Sequence, residues 1–446
     1  MERPASMPSA DTPKVVPPVP LTVENTDLNA AFLTDLTLKT VYADTDCTTD
    51  RVAGRLRLPP SVTETLLLDL YREKFIEIRG KAAGNGHRYG MLERGWQRAQ
   101  RLLEVSGYIG PAPVSLPAYT MMSDLQERER PSVTPEAIQA ALGDLILPEG
   151  IVRTVGLAAS SRRSLFITGP PGTGKTTIAT SIHTANTGDY WIPYAIEVDG
   201  QVIKMLDAHS HRPLPAGSTP YDQRWIRTRR PLVIVGGEMT IETMDLIYSP
   251  TVRFYEAPFQ MKANGGTLVI DDFGRQRVDP RDLLNRWIIP LESRTDYLTL
   301  HTGKKIQVPF EQFVIFATNL DPAALVDDAF LRRIGYRLRM EHVAPETYGR
   351  IFRRYAEKQG LGLDGSLVDR LLGWYQHERR PLVPCEPRDL LQRCIDICRY
   401  ENRPHVVTPD LLELTWTNYF GRPPGHSLPA PSGHEGTDGL LGQRAS

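Results

Sequence analysis

The stretch that most constrains this chain is Gly169-Pro170-Pro171-Gly172-Thr173-Gly174-Lys175-Thr176. It follows the apolar run Leu165-Phe166-Ile167-Thr168 and precedes Thr177-Ile178-Ala179-Thr180-Ser181-Ile182. Glycine, four residues, glycine, lysine and threonine, set between a predicted strand and a predicted helix, make a phosphate-binding loop. Its glycines let backbone N–H groups turn inward around phosphate oxygens, and the helix N-terminus adds its positive end. Lys175 is expected to reach the β- and γ-phosphates of a nucleotide and the Thr176 hydroxyl to bind magnesium. Gly169 through Thr177 form the expected nucleotide contacts. A strand feeding a helix through this loop calls for an α/β fold.

Length and charge narrow the setting. A chain of 446 residues predicts two or three domains. A formal net charge of −1 gives no global field toward nucleic acid or membrane. No apolar run is long enough to span a bilayer, so membrane insertion is not expected. The N-terminus is rich in proline and serine and lacks the apolar core of a signal peptide. Four cysteines are too few for a disulfide framework in a chain this long. Cys394 and Cys398, four apart on a predicted helix, read as packed thiols. The expected location is cytoplasmic.

Residues 1–27 predict a disordered Pro-rich leader and residues 421–446 a tail of the same character. Between residues 28 and 108, three helical patterns precede the alternating strands Phe75–Arg79 and His87–Leu92, and a fourth helix follows. Thr48-Thr49-Asp50 is the expected cap of the second helix and Pro59-Pro60-Ser61 the start of the third. Three helices, a two-stranded wing and a helix resemble a winged helix. Its third helix is poor in Arg and Lys, whereas the wing carries Arg79, Lys81, His87 and Arg88, so protein docking and DNA reading both stay open. Residues 109–134 predict a Pro-rich linker.

Thr267-Leu268-Val269-Ile270-Asp271-Asp272 has the form of a buried parallel strand ending in carboxylates. Asp271 is the expected magnesium ligand, and Asp272 stands where a carboxylate would orient the attacking water. Phe313–Thr318 is a further strand, ending in Asn319. Arg332 and Arg333 close a short helix, Tyr336–Met340 alternates as another strand, and Arg388 lies at a helix entry within the helical region from Pro345 to about Phe420.

Taken in this order, residues 135 to about 420 resemble an AAA+ ATPase. The resemblance implies a P-loop core at 135–341 with parallel sheet order 5-1-4-3-2 and a C-terminal helical lid at 342–420. It also implies ATP and Mg2+ as ligands and a ring homo-oligomer, usually a hexamer, with ATP bound between neighbours. Asn319 matches the sensor-1 position, Arg388 matches sensor 2, and Arg332 or Arg333 matches the arginine finger. Most relatives have Glu where this chain has Asp272, which implies a closer water or slow turnover.

Ala263-Asn264-Gly265-Gly266 and the hairpin Tyr297–Leu300/Lys305–Val308 resemble the pre-sensor-1 hairpin branch, which includes the enhancer-binding activators and MoxR-type ATPases. The activators' sigma-contacting loop is replaced by Thr251–Pro258. Tyr255 to Phe259 and Lys304-Lys305 read either as pore residues or as aromatics packed on their own scaffold. An insert at about 187–230 carries a predicted β-hairpin around Asp199-Gly200, followed by His209 and His211, a solvated stretch or a metal site. Glu238, after the candidate second core strand, is a candidate restraint on the catalytic acid or a helix-start carboxylate. The expected function is ATP-driven remodelling of a protein partner, targeted by the winged helix. The alternatives are a DNA-acting ATPase, whether a transcription or transposition regulator or helicase-loader-like, and a slow nucleotide-gated switch.

Overall fold

The computed structural model describes residues 15–44, 47–82, 86–215, 217–321, 325 and 332–424. By contacts the chain forms two units, one reaching to Gly169 and resuming at Lys175–Met340, the other made of Pro170–Gly174 and the residues from Glu341 onward.

The centre of the first unit is a parallel five-stranded sheet: β1 (Leu165–Thr168), β2 (Leu232–Val235), β3 (Thr267–Ile270), β4 (Phe313–Thr318) and β5 (Tyr336–Arg339). The spatial order is β5-β1-β4-β3-β2, as the resemblance implies. Side chains alternate between its faces because successive Cβ atoms of a strand point to opposite sides. Leu165, Ile167, Val269 and Ile315 meet Val155 and Ala158 of helix Glu149–Ser161 and Ile178 and Ile182 of helix Lys175–Ala185. Phe166, Leu268, Ile270 and Phe316 meet Leu283, Leu284 and Trp287 of helix Pro280–Ser293. Burial on both faces explains why these strands read as unbroken apolar runs.

The N-terminal part has the element order of a winged helix. Helices Ala30–Tyr42, Thr49–Leu56 and Pro60–Arg72 precede strands Ile76–Lys81 and His87–Met91 and helix Glu93–Val105. Cys47–Thr48 adds a third strand, and Thr48 caps the second helix by accepting from Arg51 N–H at 3.4 Å.

Three expectations need correction. Residues 15–27 pack: Val15 O accepts from Trp191 Nε1 at 2.9 Å, Pro17 O accepts from Asp222 N–H at 3.0 Å, and Val23 and Thr26 are buried. Prolines here stiffen a strap that lies against the core insert and do not mark disorder. The presumed linker holds strand Val114–Ser115 and helix Leu116–Arg128, whose Gln126 bonds the Trp191 backbone in both directions. The N-terminal module is also continuous with the core, since its apolar cluster includes Ala195 and Val202 and Phe254 packs against it.

The expected insert hairpin forms as Ala195–Val198 and Gln201–Lys204, turning at Asp199 (φ 50°) and Gly200 (φ 77°). Positive φ at both turn residues matches the twist of the strands it joins. The extended chain ahead of this hairpin breaks at Tyr194, and Asp189–Pro193 pairs with Trp225–Arg229. The hairpin joins Val114–Ser115, Phe254–Glu256 and Ile247–Ser249 in a second five-stranded sheet. Thr295–Thr299 and Lys305–Pro309 pair as the expected later hairpin. Tyr255 is buried and bonded to His301 at the tip of that hairpin, so the aromatics here pack on their own scaffold. His211 is buried, its Nδ1 accepting from Asp207 N–H at 3.0 Å and its Nε2 donating to Lys262 O at 2.9 Å, so both ring nitrogens hold backbone.

The second unit packs helices Pro345–Lys358, Gly365–His377, Glu386–Tyr400 and Pro409–Phe420 around Tyr348, Phe352, Leu371, Tyr375, Leu390 and Trp416. Cys394 and Cys398 are buried free thiols in that core.

Candidate nucleotide site

At the C-terminal end of β1 the chain turns at Gly169, whose φ is 141°. A Cβ there would lie 2.2 Å from Met340 O, so only glycine fits. Lys175 opens the following helix and donates from Nζ to Gly169 O at 2.9 Å. Burial lowers its pKa, and the Asp271 and Asp272 carboxylates oppose that shift. Gly174, at φ 90°, has nothing within 4 Å of the position a Cβ would take. Pro170–Gly174 belong to the other unit, where Thr173 Oγ1 donates to Pro170 O at 2.9 Å and Cys385 N–H donates to Gly172 O at 3.1 Å. Pro171 and Thr177 are exposed.

Thr176 Oγ1 lies 3.0 and 2.9 Å from the Asp271 carboxylate oxygens. A hydroxyl and a carboxylate are the hard oxygen donors that Mg2+ takes alongside nucleotide phosphates. Asp271 prolongs the ladder past β3, its N–H donating to Val235 O at 2.8 Å. The chain then turns at Asp272, in the left-handed region at φ 48°. Asp272 is exposed, and Asn319 Nδ2 donates to its Oδ1 at 3.2 Å. Asn319 Oδ1 is buried with no hydrogen-bond partner among the described residues. These residues fit a magnesium nucleotide.

The structure therefore joins Thr176, Asp271, Asp272 and Asn319 through direct bonds. The arginines stand apart from that chain of bonds. Arg332 is exposed, and Arg333 Nε donates to Glu292 Oε1 at 2.6 Å. The neighbouring Asp327–Leu331 lie outside the described residues. Arg388, in the second unit, donates from Nε to Asp389 Oδ1 at 3.0 Å, which raises its pKa. Glu238 folds back to accept Gly236 N–H at 3.0 Å, and that bond lowers its pKa.

Two residues on the elements that carry the site had no sequence signal. His183, on the helix that Lys175 opens, lies 3.0 Å through Nδ1 from Thr267 Oγ1 at the start of β3. Gln276 reaches back to the turn after β3, donating from Nε2 to Asp271 O at 2.9 Å and accepting Gly274 N–H at 2.7 Å. Neither belongs to a periodic pattern or a fixed-spacing motif.

Sheet order, loop and the carboxylate after β3 together decide the architecture. The core has the AAA+ P-loop fold. Residues 344–418, which hold most of the helices of the second unit, match a domain of unknown function, DUF8689. No curated protein matches the sequence. Among solved structures, NtrX from Brucella abortus with ADP is similar at 16% identity and a TM-score of 0.39, over 61% of this chain and 56% of that one. The chain thus spans little more than half the length of that NtrX. RuvB from Thermotoga maritima, a Holliday junction branch migration motor, is similar at 14% identity and a TM-score of 0.37, over 62% of this chain and 71% of that one. Among the described residues, no helix is long and apolar enough to cross a membrane.

Proposed function

We propose that this AAA+ core is an ATP hydrolase that works as a ring homo-oligomer and uses its cycle to remodel a bound partner. The observation that carries the reading is the bonded series Thr176–Asp271 and Asp272–Asn319, which ties the phosphate-loop helix to the C-terminal ends of the adjacent strands β3 and β4. Thr176 and Asp271 would hold Mg2+, which neutralises charge developing on the β- and γ-phosphates. Asp272 would orient the attacking water, and Asn319 would fix that carboxylate through Nδ2. Lys175 would bind the phosphates. Arg332 or Arg333 of a neighbouring subunit is the proposed arginine finger, and Arg388 is the proposed sensor-2 arginine.

The test is direct. Lys175→Ala should abolish turnover, and Asp272→Asn should leave ATP bound but uncleaved. Hydrolysis retained in Lys175→Ala sinks the assignment.

What the cycle drives has two readings. The first is a protein partner, to be captured with the Asp272→Asn variant in ATP. The second is DNA, and it is favoured by Arg72, Lys74, Arg79, Lys81 and Arg88, all exposed at the end of the third helix and on the wing. Binding of the full chain to duplex DNA that weakens steeply with salt supports this second reading, and no binding at low salt removes it. Single-turnover rates with and without the captured partner separate a stimulated ATPase from a slow nucleotide-gated switch.

A further inference from the structure

We propose that Gln276 is a positioning residue for the hydrolytic carboxylate, acting through the peptide bond that joins Asp271 to Asp272. This rests on the ATPase reading above and extends it to a residue outside the proposed nucleotide- and metal-binding set.

The geometry is a clamp on one peptide plane. The carbonyl of Asp271 accepts from Gln276 Nε2 at 2.9 Å. The N–H of the same peptide, on Asp272, donates to Asp271 Oδ1 at 3.0 Å. With both ends held, the plane cannot rotate, and its orientation sets φ of Asp272 at 48°. That angle lies in the left-handed region, which Asp adopts more readily than most L-residues and in which these bonds hold it here. The direction of the Cα–Cβ bond, and hence where the Asp272 carboxylate points, follows from it. The other end of the Gln276 amide accepts Gly274 N–H at 2.7 Å, so the side chain bridges both sides of the turn. Arg275 N–H donates to Asp272 O at 3.0 Å, and Phe273 is fixed to β4 by its N–H to Ala317 O at 2.8 Å and its carbonyl to Thr318 Oγ1 at 2.6 Å. Phe273, just after Asp272, is thus anchored to β4, while the peptide before Asp272 is anchored by Gln276.

Asp is one methylene shorter than Glu, so its carboxylate has less reach with which to correct a misdirected backbone. A backbone set by a side-chain clamp compensates for that lost reach. A displacement of about 1 Å in a reacting group can lower a rate about 100-fold.

The experiment compares full-length wild type, Gln276→Met and Gln276→Glu by steady-state hydrolysis, binding of a fluorescent ATP analogue and thermal melting. Gln276→Met keeps the length and loses both bonds. Gln276→Glu keeps the acceptor for Gly274 N–H and, ionised, has no donor for the Asp271 carbonyl. Both variants are expected to lose roughly 10- to 100-fold in kcat while the analogue's Kd stays within about 3-fold. Unchanged kcat in both, or loss in Gln276→Met alone, overturns the clamp. An equal loss of kcat and of analogue affinity also overturns it, by showing a general loss of the loop. Should Gln276→Met fail to fold, Gln276→Glu decides alone. A wild type that binds and does not hydrolyse ATP refutes the ATPase reading, and this inference with it.

Discussion

The Asn319 amide nitrogen lies 3.2 Å from Asp272 Oδ1, tying the residue after β4 to the second carboxylate after β3. Since β3 and β4 are neighbours in register, with Ile270 opposite Phe316, the tie spans two strand ends already fixed by the sheet.

Asn319→Ala removes that restraint and the free Oδ1 acceptor together. Its kcat should fall on the order of 10- to 100-fold with ATP affinity little changed, as read from turnover alongside equilibrium binding. A matching loss of affinity would place Asn319 in ground-state binding instead.

Asp271→Asn keeps the shape beside Thr176 and removes the charge. Magnesium titration of the hydrolysis rate should then show a midpoint shifted to higher Mg2+ by about 10-fold or more. An unshifted midpoint with a lowered rate would mean that Asp271 does not ligate the metal.

His183 couples the phosphate-loop helix to β3 and should make stability depend on pH. Burial, with Arg130, Arg212 and Arg230 nearby, lowers its pKa from 6.5 to about 4. The unfolded chain therefore takes up a proton first, near pH 6.5. Stability from this group is complete above that pH and is lost as pH falls toward 4. Between pH 7 and 5 wild type should lose about 2 kcal/mol more than His183→Gln, read by denaturant melts at both values. Parallel losses in the two proteins would refute the coupling.

Arg224, in the core insert, joins the strap to the segment around Pro113. It is buried, pairs with Asp222 at 2.8 Å, and donates to Thr26 O and Pro113 O at 3.0 and 3.1 Å. Arg224→Ala strands the Asp222 charge and both carbonyls, so it should cost about 3–5 kcal/mol. Limited proteolysis should then cut the strap or the segment near Pro113 before the sheet. A wild-type cleavage pattern would count against this arrangement.

The core was legible because its chemistry is local. The loop from Gly169 to Thr176 and the run from Thr267 to Asp272 each place the required donors within a few residues, and parallel strands buried on both faces leave an unbroken apolar signature. The strap and the linker were misread for the opposite reason. Prolines at 17 and 20 look the same in sequence whether the chain is free or lies in a groove, and the groove is made by Trp191 and Asp222, far along the chain.

The sequence by itself determined the strand, loop and helix of the phosphate-loop motif, the carboxylates that follow β3, and the helical character of the C-terminal region, since all of these depend on short spacings. Only the tertiary structure decided the rest. It directs Asn319 at Asp272, turns Glu238 back onto its own loop, gives Arg333 to Glu292, and makes one second sheet of segments from 114 to 256. These partners are distant in sequence or depend on where a backbone carbonyl faces, and no local pattern encodes such a meeting. Gln276 shows the difference most plainly: four residues beyond Asp272 it has no motif to mark it, and the left-handed turn brings its amide back to the peptide that aims the carboxylate.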